Sequence, residues 1–549
     1  MKHFMQRYTA LVARVLQIPS AWLYALGAFV WLAATTWTRP LILPDEGRYV
    51  GVAWEMLKRG DWSVPRLDGL PFFHKPPLFY WITAFALQVF GPNEWAGRFS
   101  SVICATLMTA LLFWFLKKHA SRSVAAIAAV ILVSSPFLFG GAQYANLDMT
   151  VAGMITATVI LAASTVLRLE RGEAYRGMLT LAYAAAGLGF LAKGLIGIVL
   201  PGGIIFFWLV GRRRFDSLKR LFWLPSVAVF FVVSLPWMVW MQWRYPGFFD
   251  YYIVYQHFQR FLESGFNNPH PFWFYVPVVI AATLPWSVQL WRLAGKAFWR
   301  QASCTAVDGL MLSWLLVILV FFSIPSSKLV GYVLPLLAPL AYFLALPFAR
   351  RFAAEDGGAD TIQRSGPGDE GGTGSSRAVR TFSVYLAISL SLCLVAVIVL
   401  VVAPQPSTKG LALKMRSAYN DADRVIMLDR IRYDLGFYLR TAKPAAIVTD
   451  WNDPEVKTAD TWRKEIYDAA QFDPQQAASL LVNPQDLLPG LCARHDAAIW
   501  LVGDRNSGKH YAFLAGLAPF AEDGKLRAWR IPAGARPAFC TEPPEAGLK

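Results

Sequence analysis

Charge is scarce in this sequence. Only 16% of its 549 residues are Asp, Glu, Lys or Arg, where a soluble globular chain carries about 25%. Acidic residues are the scarcer sign, 36 against 52 Lys and Arg, which leaves a net charge of +16. Cysteine is scarcer still. Five in 549 residues exclude a disulfide scaffold. What fills the space is apolar: 56% of residues are hydrophobic and 15% aromatic, with a mean hydropathy of +0.39. A soluble enzyme and a disordered chain are both excluded, and most of the chain must lie in lipid.

A basic chain invites a nucleic-acid reading, but the position of the charge argues otherwise. Residues 404–549 carry 19 basic and 18 acidic residues, a net of +1, so residues 1–403 carry +15. There the cations fall in clusters between apolar runs, as the positive-inside rule requires, and no nucleic acid is expected as a partner. The runs are about Ala21–Trp37, Ala96–Leu116, Val124–Gly140, Met149–Leu167, Leu179–Leu191, Leu195–Val210, Leu221–Met241, Phe272–Trp291, Gly309–Ile324, Leu329–Phe348 and Phe382–Ala403. If all eleven span, 22 of the 33 basic residues of 1–403 fall on the cytoplasmic side. The N-terminus is then cytoplasmic, with loops at about 38–95 and 242–271 outside. Breaks in long segments would raise the count to thirteen.

Three segments stand apart. Leu78–Phe90 is apolar but too short to span, and reads as an interfacial helix with Tyr80 and Trp81 at headgroup level. Ala353–Arg380 is rich in Gly and Ser without hydrophobic period and reads as a flexible cytoplasmic loop. Residues 404–549 read as an outer α/β domain, with strands at Arg424–Leu428, Ala445–Thr449 and Ala497–Val502 and a helix around Arg432–Arg440. Cys492 and Cys540 lie there and form a pair if the compartment is oxidising. Gly503–Lys509 matches most of a phosphate loop, but His510 stands where the magnesium-binding hydroxyl belongs.

The polar residues of the outer loops carry the chemistry. Asp45, Glu46, Arg48, Tyr49, His74 and Lys75 stand in the first. Tyr144, Asn146 and Asp148 stand in the next, and Tyr255, His257, Arg260 and His270 in a third. Ser326, Ser327, Lys328 and Tyr332 follow the ninth run, and Lys193 sits between two short ones. Each has a bland reading. Asp45-Glu46 after Pro44 starts a helix; Asp148 suits an N-cap; Lys193 can snorkel; Arg260 can make a surface salt bridge. Lys75, between His74 and two prolines, has no helical neighbour to pair with and fits an anion. His74 and His257 are the two candidate ligands for a divalent metal, zinc or magnesium.

Pro44-Asp45-Glu46-Gly47-Arg48-Tyr49, Gly60-Asp61-Trp62 and His74-Lys75-Pro76-Pro77-Leu78-Phe79-Tyr80-Trp81 resemble the first outer loop of GT-C membrane glycosyltransferases. This is the branch of protein O-mannosyltransferases and bacterial aminoarabinose lipid A transferases. Asn93-Glu94 with Arg98, Ala192-Lys193-Gly194, Ser327-Lys328-Leu329 and Tyr332-Val333-Leu334-Pro335 extend the match, the last of these toward the lipid A transferases. Many relatives carry Glu where His74 stands. The resemblance implies a mainly α, polytopic GT-C fold of eleven to thirteen membrane helices with a small periplasmic α/β domain. It implies an inner-membrane enzyme, acting as a monomer among membrane lipids. Its reaction would move 4-amino-4-deoxy-L-arabinose from undecaprenyl phosphate to a lipid A phosphate with inversion, a modification that gives polymyxin resistance.

The roles expected are catalytic for Asp45, Asp148 and Lys75. Substrate or phosphate binding is expected of Glu46, Arg48, Tyr49, Lys75, Lys193, Arg260, Lys328 and Tyr332. A phosphate acceptor is already ionised at neutral pH, so no metal or other cofactor is required to activate it. The rival classes are a transferase acting on protein or glycan, a lipid transporter or flippase, and a receptor displaying the tail. A transporter would put its polar residues at the bilayer midplane in broken helices.

Overall fold

The computed structural model describes residues 2–259, 268–293, 295, 305–359, 377–441 and 443–540. They divide into two compact units. One comprises 1–36, 98–240 and 253–403; the other comprises 37–97, 241–252 and 404–549.

The first unit is helical. All eleven apolar runs contain helix, but among the described residues six helices are long and apolar enough to cross a membrane, or eight if each of two bent pairs counts as one span. The bends are 59° between Arg122–Ser134 and Pro136–Ala142, and 110° between Tyr275–Ala282 and Trp286–Leu293. Ala21–Ala33 and Ile196–Gly211 are apolar but short. The first stops because residues 34–37 turn instead of continuing the helix. The chain is a multi-pass membrane protein. Two extremes of burial show how the unit is layered. Leu147–Glu170 is 89% buried along its apolar window and Arg377–Val402 only 11%, with Val395, Ile398 and Val399 exposed. The first is a central helix, and the second turns its apolar side chains outward, as only lipid tolerates. Close helix approach is set by small residues: a Cβ on Gly197 would meet the carbonyl oxygen of Gly189 at 2.3 Å. Of the segment 353–380 expected to be a loop, 353–359 belong to the helix Leu337–Ala359 and 377–380 to the helix Arg377–Val402. Residues 360–376 lie outside the described ones.

The second unit joins the first outer loop to the tail. In it Asp45–Arg59 is a helix with Asp45 and Glu46 in its first turn, Lys58 and Arg59 in its last and Gly60 (φ 68°) closing it, an arrangement that complements the helix dipole at both ends. A hairpin follows, β1 (Arg66–Leu67) and β2 (Leu70–Pro71), turned by Asp68 (φ 49°) and Gly69 (φ 84°); two positive φ values at the turn match the right-handed twist of the strands.

The tail supplies β3 (Arg424–Leu428), β4 (Ala446–Val448), β5 (Leu481–Val482), β6 (Ile499–Asp504), β7 (Ala521–Asp523) and β8 (Leu526–Ile531) in the order β5-β4-β3-β6-β8-β7. The first four pair in parallel, with Ile426 beside Ala446 and Leu501. β8 runs antiparallel to β6, with Ile499 opposite Ile531. Ile426, Leu428, Val448, Leu501, Trp529 and Ile531 form the core under one face, and Cys492 and Cys540 are joined in a disulfide.

Leu78–Phe90 is helical, but it is no simple surface helix. Tyr80 is fully buried, and the Trp81 indole donates to the Trp62 carbonyl at 2.6 Å. The expected headgroup anchors therefore face protein, while Phe85, Val89 and Phe90 are exposed. The length and apolarity of the segment were legible, but not which rings faced inward.

Candidate functional site

In the second unit the site is built on Arg48. It stands one turn from the start of the helix Asp45–Arg59, so its side chain reaches back to Asp45 on the same face. One guanidinium nitrogen donates to Asp45 Oδ1 and another to Glu465 Oε1. Glu465 lies on the tail helix Trp462–Ala470. Two rings hold the cation in place, Tyr49 at 5.1 Å and Tyr433 at 5.7 Å, a separation suited to cation–π attraction. Burial opposes the Arg48 charge, but Glu465, the two tyrosines and Asp45 more than offset it and hold Arg48 firmly protonated. Tyr433 donates its hydroxyl to Glu465 Oε2 at 3.3 Å. Burial, reinforced by Glu465, pushes that phenol well up, so it stays a neutral donor. Asp45 is the open member of the set, its side chain 36% exposed against 14% for Arg48.

His74 joins the same cluster. Its Nδ1 lies 3.9 Å from Glu465 Oε1, and its ring stacks on Phe72 at 4.6 Å. Tyr251, from the short segment 241–252, packs beside it and reaches Asp468 at 3.4 Å. Lys75 follows His74 and is half-buried. Tyr49 also packs against Phe79 and Tyr80.

Glu46, expected to bind substrate, is fully buried, and one carboxylate oxygen accepts from Arg39 at 2.8 Å and from the Ile42 amide at 2.9 Å, which anchors the start of the helix.

In the first unit Asp148 and Lys193 form an ion pair, with side chains 8% and 13% exposed. The Asp148 reading as an N-cap is corrected: Asn146 caps the helix, its Oδ1 accepting from the Asp148 amide at 2.8 Å. That leaves the Asp148 carboxylate for Lys193. Lys193 ends the helix Arg176–Lys193 and turns inward to the pair, with its ammonium 4.4 Å from the centre of the Tyr332 ring; it does not snorkel away. The backbone at Gly331 presses on the pair so closely that a Cβ there would come within 2.5 Å of Asp148 Oδ2.

Lys328, expected to bind substrate or phosphate, is buried, and its ammonium donates to the carbonyls of His270, at 3.0 Å, and Pro325, which fastens the backbone ahead of Tyr332. Arg260 and the side chain of His257 lie outside the described residues. Among the described residues no three His, Cys, Asp or Glu side chains gather as metal ligands do.

The structure superposes on that of ArnT from Cupriavidus metallidurans bound to undecaprenyl phosphate, with a TM-score of 0.77 at 21% identity over 96% of this chain and all of the other. The fold is that of the GT-C glycosyltransferases. The apo form of that protein matches at a TM-score of 0.74. Residues 74–240 match the family described as dolichyl-phosphate-mannose-protein mannosyltransferase. Two curated relatives are named undecaprenyl phosphate-alpha-4-amino-4-deoxy-L-arabinose arabinosyl transferase. The protein of Erwinia tasmaniensis is 35% identical over 311 residues and that of Serratia proteamaculans 36% over 309. The aligned part is 56% of this chain and 55% of each relative, so the chain spans about half the length of the curated relatives it matches. Within the GT-C fold, Glu465, Tyr433 and Tyr251 are the cluster members that sequence reasoning missed. Glu465 is 417 positions from Arg48, and no local pattern announces such a pairing.

Proposed function

We propose that this chain is a glycosyltransferase that moves 4-amino-4-deoxy-L-arabinose from undecaprenyl phosphate to a phosphate of lipid A, at the periplasmic face of the bacterial inner membrane. The observation that carries the reading is the shared name of relatives 32–36% identical over more than 300 residues, on a chain with the fold of a protein solved with undecaprenyl phosphate. In this reading the N-terminus is cytoplasmic, the tail periplasmic and the enzyme a monomer.

The chemistry follows from the substrates. A lipid A phosphate oxygen attacks C1 of the sugar, and the bond from C1 to the carrier phosphate breaks with inversion. The attacking oxygen is already anionic, so no base removes a proton from it. The demand falls on the leaving undecaprenyl phosphate, whose growing charge needs cations. Lys75 and Arg260 take that role, and Asp45 and Asp148 orient the acceptor or hold the sugar's ammonium. No step runs through a metal.

The test is transfer by the purified full-length chain from the carrier-linked aminosugar to lipid A, read by mass spectrometry with and without chelator. Modified lipid A in both arms supports the reading; no product on lipid A overturns it, and loss with chelator overturns the metal-independent route. The family matched by residues 74–240 favours one rival, a transferase acting on protein hydroxyls, and glycosylated protein with unmodified lipid A would establish it. Lys75→Ala is expected to lower the rate of transfer ~100-fold or more, the usual effect of losing one stabiliser of developing charge, at normal expression. Normal transfer by that variant removes Lys75 from the mechanism.

A further inference from the structure

At the far end of the helix that bears Arg48, two acidic side chains hold the hairpin turn from both sides. Glu55 Oε2 accepts from the Gly69 amide at 2.9 Å, which ties the turn to the helix. Asp68, in the turn itself, accepts on Oδ1 from the Ala445 amide at 2.8 Å, which ties the turn to the residue before β4. Its Oδ2 is buried and makes no hydrogen bond. The turn cannot readily be rebuilt: a Cβ on Gly69 would meet Pro444 at 2.8 Å, and its φ of 84° is strained for other residues. A small cavity borders both carboxyls, with Trp54, Arg432, Tyr433 and Lys443 among its lining residues.

The surrounding charges do not neutralise two carboxylates. Arg59 Nε is 3.7 Å from Glu55. Arg66 is shared with the Gly69 carbonyl, Tyr245 and Asp473. Arg432 pairs with Asp504 at 2.7 Å, and Lys443 is exposed. Two buried acids beside one turn, with a close cation at Glu55, cannot both ionise cheaply.

We propose that Glu55 and Asp68 form a proton-dependent latch: protonated, the pair fastens the β1–β2 turn to the helix and to the residue before β4, and full ionisation makes the two carboxylates repel and releases the turn. Burial pushes Glu55 up to about 7, against the pull of Arg59, and pushes Asp68, with Glu55 adding to it, up to about 8. Both acids ionise near pH 4 once exposed. The closed form therefore holds protons that the open form has lost, and opening grows more favourable as pH rises from about 5 toward 8. Above about 8 the closed form has lost them too, and the dependence levels off. The latch does not depend on the reaction proposed above.

Hydrogen exchange on the full-length chain in detergent, read by mass spectrometry and corrected for the intrinsic rate, tests this. Protection of the Gly69 and Ala445 amides is expected to fall ~100-fold per pH unit between about pH 5 and 6.5, as two released protons require, while β6 stays protected throughout. Glu55→Gln and Asp68→Asn keep an oxygen acceptor at each position, and Asn tolerates the positive φ at 68. Either variant is expected to halve the slope, to ~10-fold per pH unit, because one acid is left to release its proton. Protection in the unaltered chain that does not change from pH 5 to 8 overturns the latch. So does the same pH-dependent loss in both variants, or a loss at every pH in both, which would mark the two side chains as structural only.

Discussion

Lys193→Ala is expected to destabilise the membrane unit by roughly 3–5 kcal/mol, the usual cost of removing one partner of a buried ion pair, and to abolish transfer. The argument rests on what remains. Asp148 is 6% exposed, the Gly331 backbone closes over it, and its own amide is already satisfied by Asn146. Without Lys193 the carboxylate keeps the desolvation cost and loses the compensating charge. The double change Asp148→Leu with Lys193→Met tests this against a merely steric explanation. It removes both charges, so stability should return close to that of the unaltered chain, while transfer should stay lost because the proposed chemistry uses the charges. Thermal unfolding in detergent and the transfer assay read the two effects separately. A Lys193→Ala chain of normal stability would show that the pair is not a structural element, and normal transfer by the double variant would remove it from the reaction.

The second large effect is expected at Arg48. Arg48→Met leaves Asp45 and Glu465 facing the space where their shared cation stood, and removes the charge between the Tyr49 and Tyr433 rings. The stability cost is smaller than at Lys193, about 1–3 kcal/mol, because Asp45 is more than a third exposed and water screens it. The functional cost comes from lost positioning. Asp45 is held at its angle by Arg48, and misplacing a reacting group by about 1 Å can cost 10²-fold in rate. A ~100-fold fall in kcat with little change in KM is therefore expected. Arg48→Lys is expected to behave nearly as poorly, since an ammonium lacks the planar fork that reaches two carboxylates at once. Full activity with lysine would mean that position 48 needs only charge, and would undo the positioning argument.

These two sites were legible to different degrees. Asp148, Lys193 and Tyr332 were each singled out because charge or hydroxyl beside apolar runs is costly without a use; that they meet one another was not readable. Arg48 and Asp45 were close in sequence and on one helix face, so their contact followed from helical spacing. Glu465 was invisible, because the tail helix that carries it looks like any amphipathic surface helix. The partners of Glu46 and Lys328 were not readable for one reason: a charged side chain in a loop reads the same whether it faces a ligand or a buried partner, and here Arg39 and the backbone carbonyls of His270 and Pro325 pair with them. Tyr80 failed in the same way, since aromatic residues beside lipid and beside protein share one pattern.

The sequence by itself determined what depends on near neighbours. The apolar runs had to be helices, since lipid offers no partner for backbone polar groups. The acidic start and basic end of Asp45–Arg59 suited a helix dipole, and the short apolar runs of the tail placed β3, β4 and β6 but not β5, β7 or β8. Only the tertiary structure decided which carboxylate each cation met, which runs were bent or cut short, and that the first outer loop packs as one unit with the tail. Such pairings are set by the packing of segments hundreds of residues apart. Their energies depend on burial, and burial is a property of the assembled fold that no local pattern of residue types carries.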